Sequence, residues 1–217
     1  MVIAMADLRI LAFSDIHADE EALDHLRRLA SKDAYDAVLF AGDMTNRGPI
    51  SYAQDLLSLF GDKFHFVHGN MDPAAVLDLL RPEAGYVHGR KVPLGEWNLV
   101  GLGGSNPTPF QTPSELSETQ IESILGTAGL DERSIFLCHP PPYGSFDEVG
   151  GMHVGSRAVA GAIAKYRPLM ALCGHIHEHE GQQVVGDTLV VKLGAANAYR
   201  AADIKIGDEI NVSFISF

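Results

Sequence analysis

Along the first half of the chain, short apolar runs alternate with longer amphipathic segments. Leu8–Phe13 is apolar and stops at Ser14-Asp15. Residues 19–30 come next, with Ala22, Leu23, Leu26, Leu29 and Ala30 spaced for one face of a helix. A second run, Ala37–Ala41, stops at Gly42-Asp43, and Ile50–Phe60 then carries Ile50, Ala53, Leu57 and Phe60 at helical spacing. The third run, Phe64–Val67, stops at His68-Gly69-Asn70, and residues 73–80 read as a helix with proline in its first turn. This order predicts βαβ units on a largely parallel sheet.

The middle is less regular. Trp97–Leu102 reads as a strand and runs into GGSNPTPFQTP, a Gly/Pro-rich loop. Thr112-Pro113-Ser114-Glu115 has the capping-box pattern, so a helix is expected to begin there and to turn Leu116, Ile121, Ile124 and Leu125 inward. Ser134–Cys138 is a further strand, leading into the irregular HPPPYGSFDEVGG. Residues 158–166 are helical by composition, and 168–173 form a strand. From Gln182 the period changes to two, with Gly186-Asp187 and Gly207-Asp208 as hairpin turns, so the C-terminal fifth reads as antiparallel β. No internal repeat or linker interrupts the pattern, and residues 1–217 are expected to form one domain.

Composition narrows the function classes. The chain has 217 residues, 46% hydrophobic and 20% charged, as in a globular protein able to bury a sizeable core. No segment reaches the ~18 consecutive apolar residues of a membrane helix. The start, MVIAMADLRILAF, lacks a basic n-region and a cleavage site, and reads as a short leader into the first strand; a cytoplasmic protein is expected. The two cysteines, Cys138 and Cys173, each lie inside an apolar run and are expected to be buried and reduced. A net charge of −12 argues against a stable nucleic-acid complex. It leaves phosphorylated substrates open, because bound cations reverse the local field.

The residues just beyond each strand carry the chemistry. After the first strand comes Asp15-Ile16-His17, after the second Gly42-Asp43, and after the third Gly69-Asn70-Met71-Asp72. After the later strands come His139 and Gly174-His175-Ile176-His177. In an open α/β sheet ligands bind at that edge. Each piece alone is a common turn or strand cap; five in series are not. Carboxylate oxygen and imidazole nitrogen without thiolate suit Mn²⁺, Fe²⁺ or Zn²⁺. Asp-x-His and His-x-His on extended backbone would place both side chains on one side, letting two neighbouring sites share a carboxylate.

The ordered set DIH, GD, GN-x-D, H, GHIH resembles the calcineurin-like metallophosphoesterase superfamily, over residues 15–177. The stretches GLGGSNPTPFQTP and CHPPPYG…HVGSRA…CGHIHE resemble its Icc-related phosphoesterase branch. The resemblance implies an α/β fold, a four-layer αββα sandwich of two mixed sheets flanked by helices. It also implies two divalent ions, Mn²⁺ first and Fe, Zn or Ni as alternatives. One would take Asp15, His17, Asp43 and His177; the other Asp43, Asn70, His139 and His175, with Asp43 bridging. The implied activity is hydrolysis of a small phosphate ester by in-line attack of a metal-bridging hydroxide.

The chain departs from the family's fullest pattern at one place. Many members have histidine after Gly-Asn, paired with the following acid as proton donor; here Met71 stands there, with Asp72 retained. A thioether donates no proton, so phosphodiesters, or esters with stabilised leaving groups, are the expected substrates. His153, in GGMHVGS, is the candidate substitute donor. Arg47 could clamp a phosphate oxygen or be a solvated loop residue, and Ser105 and Asn106 could touch substrate or only form the turn. Asp72 could orient Asn70 or water, or cap the following helix. His25, His65, His68 and His88 fit no site, and His179 continues the loop beyond the ligands. Two other readings stay open: a phosphomonoesterase or nucleotide hydrolase, and a non-catalytic metal-binding scaffold. A homo-oligomer is likewise open.

Overall fold

The first strand explains why the runs are apolar throughout. In β1 (Leu8–Phe13), Leu8, Ile10 and Ala12 pack to one side, Leu11 and Phe13 to the other, and both sides are buried. This computed structural model describes residues 7–32 and 35–217, and the expected leader at residues 1–6 lies outside them. The alternation continues through α1 (Glu20–Lys32), β2 (Ala37–Ala41), α2 (Ile50–Phe60), β3 (Phe64–Val67) and α3 (Ala74–Leu80). Next come β4 (Lys91–Leu94), β5 (Trp97–Leu102), α4 (Glu118–Thr127) and β6 (Ser134–Cys138). A small hairpin, β7 (Glu148–Val149) and β8 (Met152–His153), precedes α5 (Arg157–Tyr166). The chain ends with β9 (Met170–Cys173), β10 (Gly181–Val185), β11 (Thr188–Lys192), β12 (Arg200–Ile206) and β13 (Ile210–Ser216).

The large strands form two mixed sheets, in the orders β13-β12-β1-β2-β3 and β10-β11-β9-β6-β5-β4. Between them lie Ile10, Leu39 and Ile204 of the first sheet and Ile135, Leu137 and Leu172 of the second, all fully buried. The outer face of the first sheet, with Phe13, Phe40 and Phe66, packs on helices α1–α3 through residues such as Leu26, Leu56 and Val76. The outer face of the second, with Phe136, packs on α4 and α5 through Ile121, Val159 and Ile163. The result is the αββα sandwich.

Two local expectations need correction, and one strand escaped the sequence reading. The C-terminal fifth holds two antiparallel hairpins, but β11 also pairs in parallel with β9, and the two hairpins belong to different sheets. No helix begins at Thr112. Glu115 Oε1 does accept from Thr112 N at 2.7 Å, as in a capping box. However, Ser114 N donates to Asn70 O and Leu116 N to Ser105 O, so these amides are committed to neighbouring loops. The helix starts at Glu118, behind a true capping box of Ser117 and Gln120. The strand β4, KVPL, has no apolar run because it is a sheet edge, where Pro93 is tolerated.

Candidate metal centre

Strand ends of both sheets meet along one edge. The first sheet delivers Asp15, His17, Asp43 and Asn70; the second delivers His139, His175 and His177. Six of these fall into two groups, Asp15/His17/His177 and Asp43/His139/His175, with one ligand atom per residue, all within 4.8 Å of one another in each group. Asp15 Oδ1 lies 3.3 Å from His177 Nε2 and 3.8 Å from His17 Nε2. Asp43 Oδ2 lies 3.4 Å from His139 Nε2 and 3.8 Å from His17 Nε2, so one carboxylate oxygen faces both groups. The seventh residue, Asn70, has its Oδ1 2.8 Å from His139 Nε2.

The turns that build this edge are not extended. Asp15, His17, Asp43 and His175 all adopt left-handed backbone, with φ of 57°, 51°, 61° and 72°. Such conformations are uncommon for non-glycine residues and collect at functional sites. Asp-x-His therefore converges through two left-handed turns rather than through strand alternation. The preceding glycines have a separate role. A Cβ on Gly69 would lie 1.9 Å from Asp43 Oδ1, and one on Gly174 would lie 2.5 Å from Asp15 Oδ2. Each glycine leaves room for the carboxylate of another strand end.

Hydrogen bonds fix the orientation of the ligand atoms. His139 Nδ1 is 2.7 Å from the Ala41 carbonyl, which only accepts, so Nδ1 carries a hydrogen and the ring is held with Nε2 facing Asp43 and Asn70. Asn70 Nδ2 donates to Thr112 Oγ1 at 3.0 Å, which turns Oδ1 toward His139. Burial alone would raise the Asp15 carboxyl, but His177 and His139 hold it well below its ordinary value. Burial pulls His139 down, yet the Asp43 charge against it prevails and raises it to about 9. Burial, reinforced by His139, pushes His175 down to about 4. Carboxylates that hold a proton on a neighbouring imidazole are a donor set from which a cation can displace that proton.

Above the groups opens a cleft of ≈ 1110 Å³. His17, Asp43, Asn70, His175 and His177 reach it, as do Met71, Arg47, Asn106 and His153. Ser105 does not; it is fully buried, with its hydroxyl on the Asn106 carbonyl. Asp72 does not either. Its buried carboxylate accepts from Gly69 N, Met44 N, Thr45 N and Thr45 Oγ1, and α3 has no side-chain cap. His68 and His88 are the support of the 103–104 loop: Gly104 N donates to His68 O and Gly103 N to His88 Nδ1. His179 Nε2 donates to the Glu148 carbonyl at 2.7 Å, tying the histidine loop to the β7–β8 hairpin.

Sequence reasoning missed several residues around the cleft. Arg157 stacks over Tyr143, 3.8 Å from the ring centroid. Asp147, almost fully buried, bonds His153. Lys192 is fully buried beneath the edge, its Nζ on the Leu193 carbonyl and within electrostatic reach of Asp15. Its signal was a lysine inside VVKLG, flanked by apolar residues on both sides.

No described helix is long and apolar enough to cross a membrane. MJ1162 of Methanocaldococcus jannaschii is 32% identical over 169 residues, 74% of this chain and 78% of its own. The structure of TT1561 from Thermus thermophilus superposes with a TM-score of 0.67 at 22% identity, over 96% of this chain and 99% of that one. A structure described as a novel archaeal phosphodiesterase gives 0.57 at 11%, over 96% and 100%. These two structures share the fold. The sequence profile described as Calcineurin-like phosphoesterase matches residues 8–179, a span that contains both ligand groups and all five strand-end motifs. The chain belongs to the calcineurin-like phosphoesterase family.

Proposed function

We propose that this protein is a divalent-metal-dependent hydrolase of phosphodiesters. The observation that carries the reading is the pair of ligand groups at the floor of the cleft, both faced by Asp43 Oδ2. The donor set fits such ions: two carboxylates, one carboxamide and four imidazoles, with no thiolate, since Cys138 and Cys173 turn to the carbonyls of Leu172 and Val191. Asp15, His17, Asp43 and His177 would hold one ion, and Asp43, Asn70, His139 and His175 the other, with Mn²⁺ the first candidate. When bound, the ions supply a water activated near neutral pH and neutralise phosphoryl charge.

The chain's own residues set the substrate. Arg47, at the mouth beside Met71, offers a guanidinium to a phosphoryl oxygen. Asn106 lines the same cleft and is held there by its Nδ2 on the Val154 carbonyl. Met71 puts an apolar thioether where a donor would stand. The cleft, at ≈ 1110 Å³, is large enough for an ester with two substituents, and Arg47 and Arg157 line it as cations for the phosphoryl oxygens. The Mn²⁺-loaded chain is expected to hydrolyse bis(p-nitrophenyl) phosphate faster than p-nitrophenyl phosphate, and a chelator should abolish both activities. Chelator-insensitive turnover would overturn the mechanism, a monoester preference would overturn the substrate class, and metal binding without any turnover would return the scaffold reading.

A further inference from the structure

The hairpin that walls the cleft carries an imidazole held by a buried carboxylate. His153 lines the cleft with its side chain 45% exposed, and its Nδ1 lies 2.7 Å from Oδ1 of Asp147, whose side chain is fully buried. A carboxylate accepts, so Nδ1 carries the hydrogen, and the edge of the ring left to the cleft is that of Nε2. Asp147 is itself built in: its second oxygen takes Gly155 N at 2.9 Å and its carbonyl takes Val154 N. Burial pushes its carboxyl up, but the Gly155 amide and His153 together hold it below the ordinary value, so it stays an anion.

The hairpin and the residues just after it are tied at three points to segments that flank the metal centre. Glu148, opposite His153 across the hairpin, gives its carbonyl to His179, two residues beyond His177. Val154 gives its carbonyl to Asn106, and Pro142, just after His139, bridges Ser156. The ring packs on Tyr143, which lies under Arg157. Asp147, Glu148, Tyr143, Arg157 and His179 are titratable or charged groups around it, and Glu118 and Glu178 line the same cleft.

We propose that His153, oriented by Asp147, is the proton donor to the leaving oxygen, supplying from the hairpin what Met71 does not. This rests on the phosphodiesterase reading. As the attacking oxygen bonds to phosphorus, the bond to the ester oxygen breaks and its electron pair stays on that oxygen. In the imidazolium form His153 carries a second proton on Nε2; that proton moves to the ester oxygen, giving the free alcohol or phenol, and the ring, left neutral with its hydrogen on Nδ1, takes a proton back on Nε2 from solvent. Asp147 is a positioning residue. The restriction to stabilised leaving groups expected from Met71 alone then belongs to a chain without His153, not to the natural one.

The test uses the full Mn²⁺-loaded chain and methyl aryl phosphates graded from p-nitrophenol to unsubstituted phenol. The natural chain should show a shallow dependence on leaving-group basicity. His153→Ala should lose under about tenfold on the p-nitrophenyl ester and about 10²-fold or more on the phenyl ester. Added imidazole should restore phenyl-ester turnover in that variant. Asp147→Asn should lower kcat on the phenyl ester with KM and bound Mn²⁺ unchanged. Equal losses along the series, or a dependence already steep in the natural chain, would overturn the donor role while leaving the phosphodiesterase reading standing. No turnover of any ester by the natural chain would overturn both.

Discussion

Asp72 is a carboxylate with no access to water, and its four donors come from the two turns that succeed β2 and β3. Burial and the neighbouring Asp43 charge raise its carboxyl to about 6, against the pull of those donors. The residue joins the turn that aims Asp43 to the turn that aims Asn70. In Asp72→Asn one acceptor oxygen becomes an NH₂ group facing an N–H donor. Charged hydrogen bonds of this kind are worth about 2 kcal/mol each. The variant should therefore lower the urea midpoint and weaken Mn²⁺ binding, although Asp72 touches neither ligand group. A variant with both values unchanged would show that the turns stand without it.

The loop after β5 behaves as an element because its amides are spent on neighbours. Gly103 N donates to His88 Nδ1, which can accept only while the ring is neutral. Burial, with Arg81 nearby, depresses His88 to about 4, while the unfolded chain titrates near 6.5. Between those values the unfolded chain binds a proton that the folded chain refuses, so this contribution is complete above pH 6.5 and is lost as pH falls toward 4. Urea midpoints of the natural chain should therefore drop from about pH 7 to about pH 5, and the drop should be smaller in His88→Gln. The same loop marks where sequence stopped being informative. The strands were legible because burial on both faces makes continuous apolar runs, and their ends exposed the ligands. Thr112–Glu115 had the right side chains for a helix start, but amides committed to distant loops decided otherwise. The two-residue strands around Gly150-Gly151 have no pattern to read, and Asp147 pairs with His153 only once that hairpin closes.

The first sheet supplies Asp15, His17, Asp43 and Asn70, and the second supplies His139, His175 and His177. Each proposed ion would have donors from both, so it would fasten two layers whose shared interior is an apolar cluster. Binding to the folded state alone adds about 2.7 kcal/mol at a hundredfold excess over Kd. For a chain of this length that raises Tm by roughly 5–10 °C. Calorimetry with and without Mn²⁺ should show the rise, and His175→Ala should blunt it. The order of the ligands along the chain has a temporal consequence. A nascent chain that has completed only β1 to β3 and the turn after them holds both carboxylates, the carboxamide and a single imidazole. The remaining nitrogen donors arrive only after β6 and β9 have emerged and the second sheet has docked. Tight capture of the proposed ions would therefore be a late step of biogenesis, and a finished centre would certify that the two halves have met in register.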